Sequence, residues 1–342
     1  MAYADNGETE MQFSDCKVNI IIPNWNGMHW LPGCLKALAQ QTFRHYDITI
    51  IDNGSTDESA QWITQNHPEI RLLCNQTNIG FAPAVNQGIR ATGAEYVVLL
   101  NTDTEPKPDW LEQLVEAIKQ APEHIGGVAS KMLLFSDESR IENAGDLFSW
   151  CGETIKRGYG DDAAGYSSPC EVFSICAGAA IYRRACLEDT GYFDERFFAY
   201  LEDVDIGMRA RIRGWSFIYE PKARILHHGH ASGLKKAGYV RLVARNRLML
   251  FFKNIPASML LRNLPKIIYG QFYFMLVYRH PIAFIAGITA ALAHLPRLRR
   301  ECHRLWKDAK ISRQEFSREI LPSCTMPPIR RILAKKLTGR HN

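Results

Sequence analysis

The 342-residue sequence lacks the features that mark several common protein classes. Its nine cysteines include no C-x-x-C pair and show no pairing pattern, and its first residues lack the basic start and apolar core of a signal peptide. Neither G-x-G-x-x-G nor a Gly-Lys dipeptide follows a strand, which excludes the two familiar glycine-rich phosphate loops. With 46% hydrophobic and 23% charged residues, the chain is not disordered, fibrous or disulfide-stapled. We expect a globular protein in a reducing cytoplasm.

The net charge of +5 is unevenly distributed. Residues 297–342 contain 13 Lys+Arg and 4 Asp+Glu, a balance of +9, whereas residues 1–296 have a balance of −4. A nucleic-acid-binding protein more often spreads a basic face over its folded domain, so no nucleic-acid partner is predicted. A basic tail that follows apolar helices favours an anionic membrane surface as the partner.

Short apolar runs alternate with helical patterns in the first half of the chain. Near-continuous apolar strands alternating with helices predict a parallel sheet covered on both faces, which is an α/β fold. Ligands bind at the carboxyl ends of such strands, where polar clusters occur at 24–26, 52–55 and 101–103. The predicted strands are 17–23, 47–55, 70–75 and 95–103, with strand-like segments at 125–135 and 171–184. The helical patterns are 28–40, 82–92 and 108–120, and a further helix that Asp57 can cap runs through Trp62 and Ile63.

From about residue 240 the chain becomes helical and apolar. Two apolar segments, 267–278 and 281–295, are divided by Arg279, and each is shorter than the roughly 20 residues of a spanning helix. Helices that lie in the membrane interface fit this pattern, and so does a helical subdomain that packs on the main body.

Several polar clusters are candidates for chemistry. Asp103, with Asn101 two residues earlier, can hold a divalent cation against a diphosphate, or can close an Asx turn. Asp52 can accept a hydrogen bond from a base or ribose, or can cap the next helix. Gly80 permits close approach of the backbone to an anion at a helix start, although an ordinary loop-to-helix junction has the same pattern.

Acidic and histidine clusters follow in the second half. Glu202, Asp203 and Asp205 lie close enough for at least one pKa to be raised, which suits a general base. The same acids can instead cap a helix, with Asp205 or Glu202 paired to the arginines at 209–213. In His227-His228-x-His230, residues 228 and 230 are one possible metal-binding pair, and a single histidine could instead complete a metal shell begun by Asp103. Structural histidines near a loop have the same pattern.

The order of these motifs indicates a protein family more specifically than any single motif does. Together they resemble the inverting family 2 glycosyltransferases, in particular the rhamnosyltransferase-like branch that builds bacterial surface polysaccharides. The resemblance covers about residues 17–255. It rests on the ordered segments IIPNWN, IDNGSTD, TNIGFAPAVNQG, LLNTDTEP, GAAIYRR, YLEDVDIGMRARIRGW, ILHHGHASG and RNRLMLFFKN.

The resemblance implies a GT-A fold and a role for each matching residue. Asp203 matches the catalytic base, and Glu202 its neighbour at the acceptor. Asp103 matches the principal metal ligand and His227 the metal-ligand histidine, with Mg²⁺ or Mn²⁺ as cofactor. Because His228 is adjacent, the match does not decide which of the two histidines is the ligand. The residues implied to bind the nucleotide-sugar are Pro23, Asn24, Asn26, Asp52, Asn78, Gly80, Asn86, Asn101, Thr102, Gly178 and Ala179.

The resemblance also implies a reaction. A single sugar, L-rhamnose from dTDP-rhamnose, passes with inversion to a lipid-pyrophosphate-linked saccharide at the cytoplasmic face of the inner membrane. The processive Q-x-x-R-W signature is missing. A UDP-hexose or UDP-N-acetylhexosamine donor is the alternative of the same class, and a non-catalytic scaffold is the alternative of another class. The predicted organisation is a flexible N-terminus (1–16), a GT-A domain (17–240) and a membrane-associating helical region (241–342).

Overall fold

The computed structural model describes residues 18–229 and 234–322, which form two compact units. The first unit contains 18–146 and 156–229, and the second contains 147–155 and 234–322. Segment 147–155, which the sequence assigns to the GT-A domain, therefore belongs to the helical unit. The expected flexible N-terminus at 1–16 lies outside the described residues.

A ten-stranded sheet forms the centre of the first unit. The strands of the chain are β1 (Val18–Asn24), β2 (Tyr46–Asp52), β3 (Arg71–Cys74), β4 (Tyr96–Leu100), β5 (Thr104–Pro106), β6 (Ile125–Leu134), β7 (Asp137–Asn143), β8 (Asp146–Phe148), β9 (Thr154–Lys156), β10 (Cys170–Val172), β11 (Ala179–Arg183) and β12 (Ser216–His227). Along the large sheet the strands follow the order β10-β12-β6-β11-β4-β1-β2-β3, with β5 paired to β12 and β7 to β6. A separate two-stranded sheet joins β8 and β9.

Helices cover both faces of the sheet, as the apolar runs predict. In β1, Ile20 and Ile22 belong to one apolar layer and Ile21 to the other, because successive side chains of a strand point to opposite faces. Strands β3, β2, β1 and β4 are mutually parallel, whereas β11 runs antiparallel to β4 and β6. The helices of this unit are α1 (Leu31–Ala39), α2 (Ser59–Asn66), α3 (Phe81–Ala91), α4 (Trp110–Gln120), α5 (Arg184–Thr190) and α6 (Glu202–Ile212).

Two predicted strands are shorter or divided in the structure. The segment 171–184 forms β10 and β11, which pair with different neighbours and are separated by a turn in which Ala179 N donates to Cys176 O. The run 95–103 ends as a strand at Leu100, and residues 101–103 turn the chain into β5. The pattern of apolar residues does not show where a strand ends or which neighbouring strand it pairs with.

The second unit is helical. Arg247 is buried at its centre, where Nε donates to Gly152 O at 2.9 Å and the guanidinium lies 3.4 Å from the centroid of the Phe274 ring. Burial lowers the pKa of Arg247. Cys151 is disulfide-bonded, which the cysteine spacing did not indicate. The helices are α7 (Lys236–Asn254), α8 (Ala257–Tyr278), α9 (Pro281–Ala293), α10 (Leu295–Lys307) and α11 (Arg313–Glu319).

The apolar segments of this unit are divided at the place that the sequence indicates. Helix α8 ends at Tyr278, Arg279 adopts a left-handed backbone (φ 54°), and α9 begins at Pro281. Within the described residues, no single helix has the length and apolarity to cross a membrane, and α9 with α10 reach that threshold only as a pair bent by 58°.

Candidate active site

Asn24 and Asp52 meet at the carboxyl ends of β1 and β2. The parallel register places them side by side, and Asn24 Nδ2 donates to Asp52 Oδ1 at 2.9 Å. Ser55 N donates to the other carboxylate oxygen at 3.1 Å. Both Asn24 and Asp52 are buried, so two donors hold this carboxylate in one orientation at the sheet edge.

Pro23 and Asn26 flank this pair. Pro23 is the register partner of Ile51, and its own side chain is half-buried. Asn26 adopts a left-handed backbone (φ 51°), and its Oδ1 accepts from Thr56 N at 2.7 Å. The Asn26 side chain therefore ties together the two loops that follow β1 and β2.

Asn78 and Gly80 shape the loop before α3. Asn78 Oδ1 accepts from Gly80 N at 2.9 Å and from Asn53 Nδ2 at 3.1 Å. Gly80 has φ 101°, and a Cβ there would lie 2.6 Å from a ring carbon of Phe198. Only glycine meets both requirements, so this segment is held close to the loop that contains Phe198.

Asn86 makes its hydrogen bonds inside the protein. Nδ2 donates to Phe193 O at 2.8 Å and to Glu195 Oε1 at 3.1 Å, while Oδ1 accepts from Phe193 N at 3.1 Å. The side chain is buried, with 1% exposure. The geometry assigns Asn86 the task of fixing the loop at 193–195; its implied contact with the nucleotide-sugar stays a prediction.

The turn after β4 brings Asn101 beside Gly178. Asn101 N donates to Gly178 O at 2.9 Å, and a Cβ on Gly178 would lie 2.8 Å from Asn101 Nδ2. Thr102 and Asp103 are buried in this turn. Ala179 is the first residue of β11 and packs in an apolar layer, so of the implied sugar-facing residues Gly178 is the one next to Asn101.

His227 lies at the end of β12, opposite the start of β5, and faces Asp103. His227 Nε2 is 3.3 Å from Asp103 Oδ2, and Nδ1 is 3.5 Å from Glu142 Oε2. Burial by itself lowers the pKa of His227, but the two carboxylates outweigh it and raise the pKa to about 9.

His228 points to a different partner. Its Nε2 is 3.3 Å from Glu105 Oε1, and its ring stacks on Phe135 with centroids 3.6 Å apart. The tertiary structure thus separates two adjacent histidines that the sequence leaves equivalent, and it places His227 with Asp103. His230, the other half of the possible metal-binding pair, lies outside the described residues.

Glu142, the second carboxylate that faces His227, belongs to a cluster with the exposed Lys156 and the buried Asp146, and sequence reasoning identified none of the three. Lys156 Nζ pairs with Glu142 Oε1, the carboxylate that also faces His227. Burial, together with the charge of Asp203, raises the pKa of Asp146 to about 8. These side chains come from β7, β8 and β9, within a segment where no periodic pattern distinguishes them from loop acids.

Glu202 and Asp203 begin α6, after two residues with a left-handed backbone, Tyr200 and Leu201 (both φ 69°). Burial is the main cause that raises the pKa of each acid, and the charge of Asp203 adds to the effect at Glu202. Glu202 Oε2 is buried and makes no hydrogen bond within the described residues. Non-glycine residues in strained conformations are concentrated at functional sites, which fits this location.

Neither acid is held by the arginines of α6 in the described part of the chain. Of the two acids predicted as alternative partners of these arginines, Asp205 forms the pair: its Oδ2 is 2.8 Å from Arg209 Nη2. The other two arginines form ion pairs with Glu171 and Asp189. Glu202 and Asp203 are therefore available for proton transfer, with raised pKa values.

The sequence profile of Glycosyl transferase family 2 matches residues 19–191, which is half of the chain. The chain belongs to glycosyl transferase family 2. Among curated relatives, the N-acetylglucosaminyl-diphospho-decaprenol L-rhamnosyltransferase of Mycobacterium tuberculosis is 28% identical over 233 residues, covering 60% of this chain and 74% of that protein. The O-antigen biosynthesis protein RfbC of Myxococcus xanthus is 28% identical over 227 residues, 63% of this chain and 18% of RfbC.

Solved structures agree on the fold of this glycosyltransferase. S. aureus TarS 1-349 in complex with UDP-GlcNAc matches with a TM-score of 0.55 and 16% identity, covering 95% of this chain and 93% of that one. GalNAc-T7 with UDP, GalNAc and Mn²⁺ matches with a TM-score of 0.54 and 15% identity, covering 82% and 58%. The expected GT-A architecture, a mainly parallel mixed sheet flanked by helices and followed by a helical region, is confirmed.

Proposed function

We propose that this family 2 glycosyltransferase transfers one sugar with inversion, from a nucleotide-sugar donor to a lipid-linked saccharide. The observation that carries the proposal is the pair of acids at the start of α6, the buried Glu202 and the half-buried Asp203, whose pKa values are raised and which no described arginine neutralises. A carboxylate with a raised pKa is a stronger base near neutral pH than an exposed one.

Asp203 acts as the general base. It accepts the proton of the acceptor hydroxyl while that oxygen forms its bond to the anomeric carbon and the bond to the diphosphate breaks. One displacement from the opposite face inverts the configuration. The positive charge of Lys156 favours the ionised form of Asp203, which opposes part of the effect of burial and keeps the base usable.

The described residues can supply only part of the coordination shell of a divalent cation, Mg²⁺ or Mn²⁺. No cluster of three His, Cys, Asp or Glu side chains suited to a metal occurs among them. Asp103 Oδ2 and His227 Nε2 supply two donors 3.3 Å apart, and oxygens of the diphosphate and water would complete the shell, as is usual for Mg²⁺. When bound, the ion neutralises charge on the leaving diphosphate.

L-Rhamnose from dTDP-rhamnose is the proposed donor, with a lipid-pyrophosphate-linked saccharide as acceptor. The similarity to a rhamnosyltransferase whose name specifies a diphospho-decaprenol acceptor supports both assignments. The Asp52 carboxylate, which Asn24 and Ser55 orient, is an acceptor that suits a pyrimidine base of either thymidine or uridine. A UDP-hexose or UDP-N-acetylhexosamine therefore remains the alternative donor.

We propose a peripheral location at the cytoplasmic face of the inner membrane, where a lipid-linked acceptor is presented. The basic C-terminal segment supports it, since cationic residues are attracted to anionic lipid. Residues 323–342 of that segment lie outside the described residues. A role in O-antigen or other surface-polysaccharide synthesis is consistent with the similarity to RfbC.

A donor panel tests the proposal. Purified protein with Mn²⁺ receives dTDP-rhamnose, UDP-glucose, UDP-galactose, UDP-N-acetylglucosamine or GDP-mannose, with a lipid-pyrophosphate N-acetylglucosamine acceptor, and transfer is scored by mass. We expect transfer from dTDP-rhamnose and a loss of about 10²–10⁴-fold in Asp203→Asn. Asp47→Asn, at an exposed position of β2, is the matched control.

Each outcome has a distinct meaning. Transfer from a UDP-sugar alone would keep the fold and the base but replace the rhamnose assignment. A β-linked product from a β-linked donor would contradict inversion. Full cellular function of the Asp203→Asn variant would instead favour the non-catalytic scaffold.

A further inference from the structure

Helices α8 and α9 of the second unit expose a large apolar surface. On α8, Leu261, Leu264, Ile268 and Phe272 recur at helical spacing and are 70%, 43%, 58% and 50% exposed. This stripe lies on the opposite side of the helix from the buried stripe through Asn263, Ile267 and Phe274. On α9, the exposed apolar side chains are Ile282, Ile285 and Leu292, and Ile282 reaches 85% exposure.

An open apolar cavity of about 400 Å³ adjoins this surface, between α7, α8 and α9. Among its described lining residues, Gln271 is the single polar side chain. Its Nε2 and Oε1 are buried and make no hydrogen bond within the described residues. An apolar cavity with one amide group suits a hydrocarbon chain that carries one polar atom, such as the ester carbonyl of an acylglycerol.

The charge pattern around the surface is one-sided. Within the second unit, residues 234–300 contain 12 Lys+Arg and no Asp or Glu. Arg262 and Lys266 are exposed on α8 beside the apolar stripe, and Arg279 is exposed between the two helices. An exposed apolar face bordered by cations is complementary to an anionic lipid surface.

We propose that this face of the second unit binds an anionic phospholipid bilayer, with one acyl chain in the cavity and its ester carbonyl accepting a hydrogen bond from Gln271 Nε2. The inference deepens the proposed membrane location by naming the surface and the lipid class. It does not depend on which sugar is transferred.

Vesicle co-sedimentation of the full chain tests the surface. We expect the wild-type protein to bind phosphatidylglycerol vesicles at least tenfold more tightly than phosphatidylcholine vesicles. We also expect Ile268→Glu and Phe272→Glu each to weaken binding to phosphatidylglycerol vesicles at least tenfold. Tyr159→Glu replaces a 63% exposed aromatic residue of the first unit, so it controls for the added negative charge and for the loss of an exposed aromatic ring. Circular dichroism checks that each variant is folded. Equal binding of both lipids, or wild-type binding by Ile268→Glu, would overturn the proposal.

The cavity has its own test. Met275→Trp places a bulkier side chain in the cavity and should weaken binding several-fold without loss of the fold. Diether phosphatidylglycerol lacks the ester carbonyls, so we expect it to bind less tightly than the diester lipid, and we expect this difference to disappear in Gln271→Leu. Equal affinity for diester and diether lipid would refute the acyl-chain site. These lipid-binding tests contain no sugar donor. If they contradict the lipid site, the proposed sugar transfer to an acceptor analogue still stands and is tested separately.

Discussion

Replacing Asn86 with alanine separates a structural role from a nucleotide-binding one. The side chain is 1% exposed and exchanges two hydrogen bonds with Phe193, one of 2.8 Å and one of 3.1 Å. Truncation leaves the N–H and the C=O of Phe193 buried without these partners. Each unsatisfied buried group costs about 1–3 kcal/mol, so Asn86→Ala should lower the free energy of unfolding by about 2–6 kcal/mol.

Urea denaturation, followed through a signal that reports on the first unit, measures this loss of stability. Arg90→Ala is a matched control. Arg90 lies on the same helix and reaches the same loop, through an exposed ion pair of 3.1 Å with Glu195. Exposed pairs contribute about 0–1 kcal/mol, so this variant should stay close to wild type. If Asn86→Ala lost less than about 1 kcal/mol while its KM for the donor rose tenfold, the structural reasoning would be wrong and the implied nucleotide contact correct.

Three further outcomes are expected. Glu142→Gln should weaken Mn²⁺ binding, measured by electron paramagnetic resonance, by about 10–100-fold, because the carboxylate that faces His227 Nδ1 orients a metal-binding ring; unchanged affinity would exclude that role. Asp146 has its pKa raised to about 8, so it favours folding at low pH, and this contribution is lost as pH rises to about 8; Asp146→Asn should therefore stabilise the protein at pH 9 and change little at pH 4 in thermal melts. Gly80→Ala should cost at least about 1–2 kcal/mol in chemical denaturation, since alanine meets both a positive φ and the Phe198 ring, and wild-type stability would contradict that geometry.

Much of the fold could be predicted because it depends on local patterns. Apolar runs such as the one that forms β1 are buried on both faces, so their composition already indicates a covered parallel sheet. The division of the C-terminal apolar segments at Arg279 was predictable for the same reason, since charge and proline interrupt a helix locally. Strand partners were not predictable, as the split of 171–184 into β10 and β11 illustrates.

The sequence by itself determined the family, through the order of its motifs, and it indicated the paired acids Glu202 and Asp203 by their spacing. The tertiary structure decided which histidine faces Asp103, because β12 meets β5 in a register that directs His227 inward and leaves His228 with Glu105. It also decided which distant side chains join the site. Burial and long-range charge depend on the whole fold, and no local pattern in the chain records them.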